Sequence, residues 1–137
     1  MREILFRGKR GDNGEWIEGQ LMHFKASVGS DELAVILCGC EWDHSGEWFS
    51  LGKHFRVIPE TVGQYTGLTD KNGKKIFEGD IVYDTIDREN ALIVFENGSY
   101  YVKNYCIFMR LGESASVQIE VIGNVHDNLE LLKGGAE

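Results

Sequence analysis

The chain has 137 residues, 42% hydrophobic and 26% charged, which is too apolar for disorder and sized for one domain or two small subdomains sharing a core. A formal net charge of −8 and a pI near 5.0 oppose generic binding to phosphate backbones, and solubility alone accounts for such a charge. No run approaches membrane-span length and the N-terminus has no apolar h-region, so the expectation is a soluble, intracellular protein.

Seventeen glycines against one proline suit a β chain with many tight turns. Cys38, Cys40 and Cys106 make an odd set, which fits reduced thiols in a cytoplasm.

In chain order, residues 3–9 alternate loosely and meet Gly11-Asp-Asn-Gly14. An Asn13-Gly14 turn would pair Gly11 with Trp16, Arg10 with Ile17 and Lys9 with Glu18. Residues 16–24 continue as a strand with no clear buried face. A turn-rich break follows at 26–31. Leu33 to Leu37 is a short β-branched apolar run, read as a buried strand. Residues 38–54 are polar, aromatic and glycine-bearing, and read as a second hairpin or a long loop. Phe55 to Ile58 is a strand that ends at Pro59.

Residues 59–84 are the stretch around which the chain is organised. Asn72-Gly73 is a strong hairpin signal, because a type I′ turn needs φ > 0 at both central residues. Counting outward pairs Lys71 with Lys74, Asp70 with Lys75, Thr69 with Ile76 and Leu68 with Phe77. Glu78-Gly79-Asp80 turns the chain again, with Gly79 able to take a positive φ. Ile81, Val82 and Tyr83 open a new strand.

The segments Pro59-Glu-Thr-Val-Gly-Gln-Tyr-Thr-Gly-Leu68 and Ile76-Phe-Glu-Gly-Asp-Ile-Val82 are specific rather than generic. With Phe6-Arg-Gly-Lys-Arg10, Asn13-Gly-Glu-Trp16 and Glu120-Val-Ile-Gly-Asn124, they make a chain that resembles the YopX family of small bacteriophage and prophage proteins. Leu129 stands where the family pattern has proline after Asn128, which bears only on the cap of a terminal helix. The resemblance implies a phage or prophage origin and carries no reaction.

Further on, Asn97-Gly98 would pair Phe95 with Tyr100, Val94 with Tyr101 and Ile93 with Val102. Alternation puts Ile93, Phe95, Tyr100 and Val102 on the core face. The opposite face carries Leu92, Val94 and Tyr101 and needs a cover from residues 104–122 or from another subunit. Residues 104–111 read as strand or one helical turn, 112–116 as a loop, and 117–122 as a strand. Asp127 or Asn128 would cap a short terminal helix over Leu129, Leu131 and Leu132.

Three constellations invite chemistry. Cys38, Cys40, His44 and His54 suggest zinc, but Cys-x-Cys lacks the usual spacing and no second pair follows. Glu78 and Asp80, with Asp84 and Asp87 nearby, could form a glycosidase-type carboxylate pair or a divalent-cation site, yet Asp80 fits better as an Asx cap of its own turn. Trp16, Trp42, Trp48, Tyr65, Tyr83, Tyr100 and Tyr101 could stack bases if framed by Arg7, Lys9 and Arg10 or by Lys71, Lys74 and Lys75. Core packing accounts for most of these aromatics.

The expectation is a mainly β protein whose antiparallel hairpins form small SH3-like barrel modules with a short C-terminal helix. It would divide into an N-terminal unit, 1–58, and a C-terminal unit, 59–137. The expected role is a non-enzymatic phage accessory protein in the host cytoplasm that binds a host or phage protein, without cofactor, metal or membrane, and forms a homo-oligomer. A nucleic-acid-binding module is the alternative and a metal-dependent hydrolase the weaker one. The candidate interaction surface is Tyr65, Glu78, Asp80, Leu92, Val94 and Tyr101.

Overall fold

Alternating apolar residues and frequent turn residues build β-strands throughout the computed structural model, which describes residues 2–25, 29, 31–39, 41–42, 45, 49–50 and 52–133. The elements are β1 (Phe6–Lys9), β2 (Trp16–Lys25), β3 (Glu32–Cys38), β4 (Glu41–Trp42), β5 (Phe49–Ser50), β6 (Lys53–Val57), a 3-10 turn (Pro59–Thr61) and β7 (Gly63–Thr69). They continue as β8 (Lys75–Phe77), β9 (Asp80–Asp84), β10 (Glu89–Glu96), β11 (Ser99–Lys103), β12 (Phe108–Arg110), α1 (Glu113–Ser116), β13 (Ile119–Asn124) and α2 (Glu130–Lys133). The mainly β class is as the sequence reads. The chain divides into two units that meet between Gln64 and Tyr65, inside β7.

The first unit pairs β6, β3, β2 and β1 in that order, with the first two residues of β7 beside β1. Its core is Ala34, Ile36 and Val57, with Phe6, Ile17, Leu21 and Val62 packed on them. The apolar run at 33–37 is therefore the buried strand that its β-branched composition suggests. Thr61 ties the 3-10 turn down: its hydroxyl donates to the Ile58 carbonyl at 2.6 Å and accepts the Lys9 amide at 2.9 Å. The first hairpin is displaced by two residues from the expected register. Lys9 pairs with Trp16 and Arg7 with Glu18, around the four-residue loop 11–14. Only Gly14 of its Asn-Gly dipeptide takes a positive φ, 74°, so no type I′ turn forms. A shift of two preserves which face each side chain takes. Residues 40, 44 and 48 lie outside the described residues, so the zinc reading of Cys40 and His44 and the stacking reading of Trp48 fall there too.

The second unit carries a five-stranded antiparallel sheet in the order β12-β11-β10-β9-β13, and β8 pairs with the rest of β7. Ile76, Val82, Ala91, Ile93, Val102, Leu111, Ala115 and Ile119 form its core. The sheet ends at β12 and β13 without joining them, so the expected barrel modules give way to open sheets. The Asn72-Gly73 hairpin also departs from expectation: Thr69 pairs with Lys75 and Tyr65 with Phe77, across a register shift. The cause is Asp70, whose Oδ1 accepts the amides of Asn72 and Lys74, each at 2.9 Å, and makes a longer Asx-type loop. Gly73 alone of that dipeptide has a positive φ, 83°. Asn97-Gly98 is the one type I′ turn of the three, with φ of 50° and 80°. Its predicted register holds at every pair. Residues 113–116, read as loop, form the single-turn α1, in which Ser116 donates back to the Glu113 carbonyl at 2.9 Å.

Candidate interaction surface

The side chains of β10 alternate, so Ile93 is buried at 1% exposure while Leu92 and Val94 on the opposite face stay half-buried. The register places Val94 against Tyr101 and Leu92 against Lys103. On the next strand, Tyr101 faces Arg110 and Lys103 faces Phe108. The outer face therefore continues over three strands. Tyr101 and Phe108 stack with ring centroids 4.6 Å apart and planes 15° apart. Phe108 is 56% exposed even so. The Lys103 ammonium lies 5.7 Å from the Phe108 ring and pairs with Glu96 at 2.9 Å. The result is an apolar shelf of Leu92, Val94, Tyr101 and Phe108 rimmed by one ion pair and Arg110.

Asn104 sets one end of this shelf. Its Oδ1 accepts the amides of Cys106 at 2.7 Å and Ile107 at 2.6 Å, which turns the chain from β11 into β12. Its Nδ2 donates to the Asn90 carbonyl at 2.9 Å and locks that turn to β10. Beside it, Tyr83, Arg88, Glu89, Asn90, Leu131 and Leu132 help to line a cavity of about 350 Å³. The Glu89 carboxylate raises the Tyr105 hydroxyl above its ordinary value there. Arg88 holds a positive φ of 58°, and its amide donates a hydrogen bond to the Asp84 carbonyl at 2.7 Å.

The six residues expected to form the surface separate into two sets. Leu92, Val94 and Tyr101 share the outer face. Tyr65 instead packs on Phe77 with centroids 5.6 Å apart, beneath the Lys75 ammonium at 5.7 Å. Glu78 sits in the turn after β8, on the side of Tyr100. Burial, and after it the Glu78 charge, pushes that tyrosine's hydroxyl up. Asp80 is buried at 1% and its Oδ2 accepts the Phe77 amide at 2.7 Å, so it bonds backward into its own turn.

Asp84 accepts the amides of Ile86 at 2.9 Å and Asp87 at 3.0 Å. Gln118 donates to its other oxygen at 3.1 Å. Asp70, Asp80 and Asp84 thus hold turns. Among the described residues, no three His, Cys, Asp or Glu side chains are grouped to hold a metal.

Phe108 and Asn104 were missed in the sequence because residues 104–111 carry no clear period. The available signal was Asn104 itself, an Asx-turn residue placed between two apolar runs.

A family model described as YopX protein matches residues 5–133. The chain belongs to the YopX family. Among solved structures it is similar to the crystal structure of protein EF1440 from Enterococcus faecalis, with 23% identity and a TM-score of 0.69 over 96% of this chain and 99% of that one. At that identity the likeness speaks for the fold alone. No curated protein matches the chain. For this YopX-family chain, the shared fold leaves the outer face and the Asn104 turn to be read from the chain's own side chains. No described helix is long and apolar enough to cross a membrane.

Proposed function

We propose that this YopX-family protein is a phage- or prophage-encoded accessory protein that works in the host cytoplasm by binding another protein, without catalysing a reaction. The observation that carries the reading is the shelf on the outer face, where Phe108 stays 56% exposed although stacked on Tyr101. Aromatic anchors with an apolar surround and a charged rim are the usual core of a protein-binding patch. The buried carboxylates support the same reading, because backbone amides occupy Asp70, Asp80 and Asp84. The net charge of −8 disfavours a nucleic-acid partner.

The test uses the intact protein and Val94→Lys, which places a charge in the middle of the shelf and leaves β12 unchanged. Each is used to capture proteins from host lysate, and any captured protein is then titrated in purified form. The expected result is a saturable partner that Val94→Lys loses while its melting temperature stays near that of the parent. No protein partner, or salt-sensitive binding of DNA in its place, overturns the reading.

A further inference from the structure

The geometry points to β12 as a self-pairing edge: two copies of this chain join antiparallel through residues 108–110, with Phe108 of each against Arg110 of the other. The inference sets a second copy of the chain against Phe108, and its outcome is read separately from the partner-binding reading, which Val94→Lys tests. It starts from backbone parity. The Leu111 amide donates to the Tyr100 carbonyl at 2.9 Å, and the Asn104 amide to the Ile107 carbonyl at 2.8 Å. Bonds to β11 in this antiparallel ladder therefore fall on residues 107, 109 and 111. The amides and carbonyls of Phe108 and Arg110 point the other way. On that side β12 is the last strand of the sheet. The opposite edge is handled differently: the loop after β7 covers β13, with Lys71 donating to the Ile119 carbonyl at 3.1 Å and Val121 to Asp70 at 2.9 Å. Edge strands invite pairing, and β12, three residues long, carries no proline and has, among the described residues, no strand beyond it.

The side chains select the partner and the register. Pairing through outward groups restricts the choice to three registers. One sets Phe108 against Phe108, and one sets Arg110 against Arg110, a like-charge opposition that destabilises a ladder. The third crosses Phe108 with Arg110 twice. It closes two hydrogen-bonded residue pairs and puts a guanidinium over each aromatic ring. A twofold axis through Met109 generates it, which is the symmetry of a closed dimer. It also covers Phe108, whose ring the chain's own Tyr101 leaves 56% exposed. The edge strand bears Arg110, and Lys103 on the neighbouring β11 is paired with Glu96, so the overall acidity of the chain is not concentrated where the copies meet.

Light scattering coupled to size exclusion, together with amide hydrogen exchange on the unmodified protein, tests this. The expected mass is twice the 15.5 kDa of the chain, with protection at the Phe108 and Arg110 amides that is lost on dilution to monomer. Phe108→Arg sets Arg against Arg110 and should give monomer, and exchanging the two residues, Phe108→Arg with Arg110→Phe, should restore the dimer. A monomer at all concentrations overturns the inference. So does a dimer in which the Phe108 and Arg110 amides exchange as freely as exposed ones. The exchange measurement decides the matter even where a variant fails to fold.

Discussion

The Asp70 carboxylate accepts the amide of Val121, 51 residues away, at 2.9 Å. Its other oxygen holds the turn after β7, so one side chain at 6% exposure ties a hairpin loop to the last strand of the sheet. A hydrogen bond to an ionised acceptor is roughly twice as strong as a neutral one. Asp70→Asn keeps the shape but removes the charge and turns an amide donor toward amide donors. The expected loss is about 2 kcal/mol, read from denaturant unfolding.

The same residue gives a pH prediction. Burial alone would push the Asp70 carboxyl up, but the amides of Val121, Lys74 and Asn72 outweigh it and hold it below its ordinary 3.8. A depressed carboxyl contributes stability that is whole above the unfolded value and disappears as pH falls through the folded one. Below about pH 4 the parent should therefore lose stability more steeply than Asp70→Asn. Parallel acid titrations of melting temperature check this, and equal slopes would refute it.

Tyr101 is covered by Phe108 of its own chain, which is one of the two covers that its exposed position required. Tyr101→Asp should cost roughly 2 kcal/mol through the lost stack and a half-buried charge. The readout is a lower melting temperature. An unchanged melting temperature would mean that the stack contributes nothing to the fold.

The three Asn-Gly dipeptides should respond differently to the same change. Asn97 holds a φ of 50°, a region that costs an ordinary side chain about 1 kcal/mol. Asn13 and Asn72 have no positive φ. Asn97→Ala should be destabilising by about 1 kcal/mol, with Asn72→Ala and Asn13→Ala nearer to neutral. Equal losses at all three positions would contradict the turn assignments.

Gly19 lies where a Cβ would run into the Leu37 carbonyl oxygen and meet the Ile36 side chain at 3.0 Å. Backbone cannot move aside as a flexible side chain can. Gly19→Ala should cost about 3 kcal/mol, the upper end for forcing atoms into packed structure. Gly112→Ala, where nothing lies within 4 Å, is the matched control.

Local chemistry alone determined the β class, the buried strand at 33–37 and the register of the Asn97-Gly98 hairpin, and the resemblance of the chain's motifs pointed to the family. A type I′ turn is a two-residue decision, and the Glu96 carboxylate before Asn97-Gly98 is held by Lys103 across the strands. Side-chain alternation then followed from the period of a strand. Tertiary structure decided what local signals leave open. Asp70 turned an identical Asn-Gly into a longer loop, because its carboxylate also had to reach Val121. Phe95 reads as core by alternation yet is 51% exposed, because the hairpin tip extends past the core that buries Ile93 and Val102. Residues 108–110 became an edge strand after a turn at 104–107 that Asn104 ties to the Asn90 carbonyl across the sheet. These outcomes depend on partners tens of residues distant, and the spacing of neighbours along a chain does not encode them.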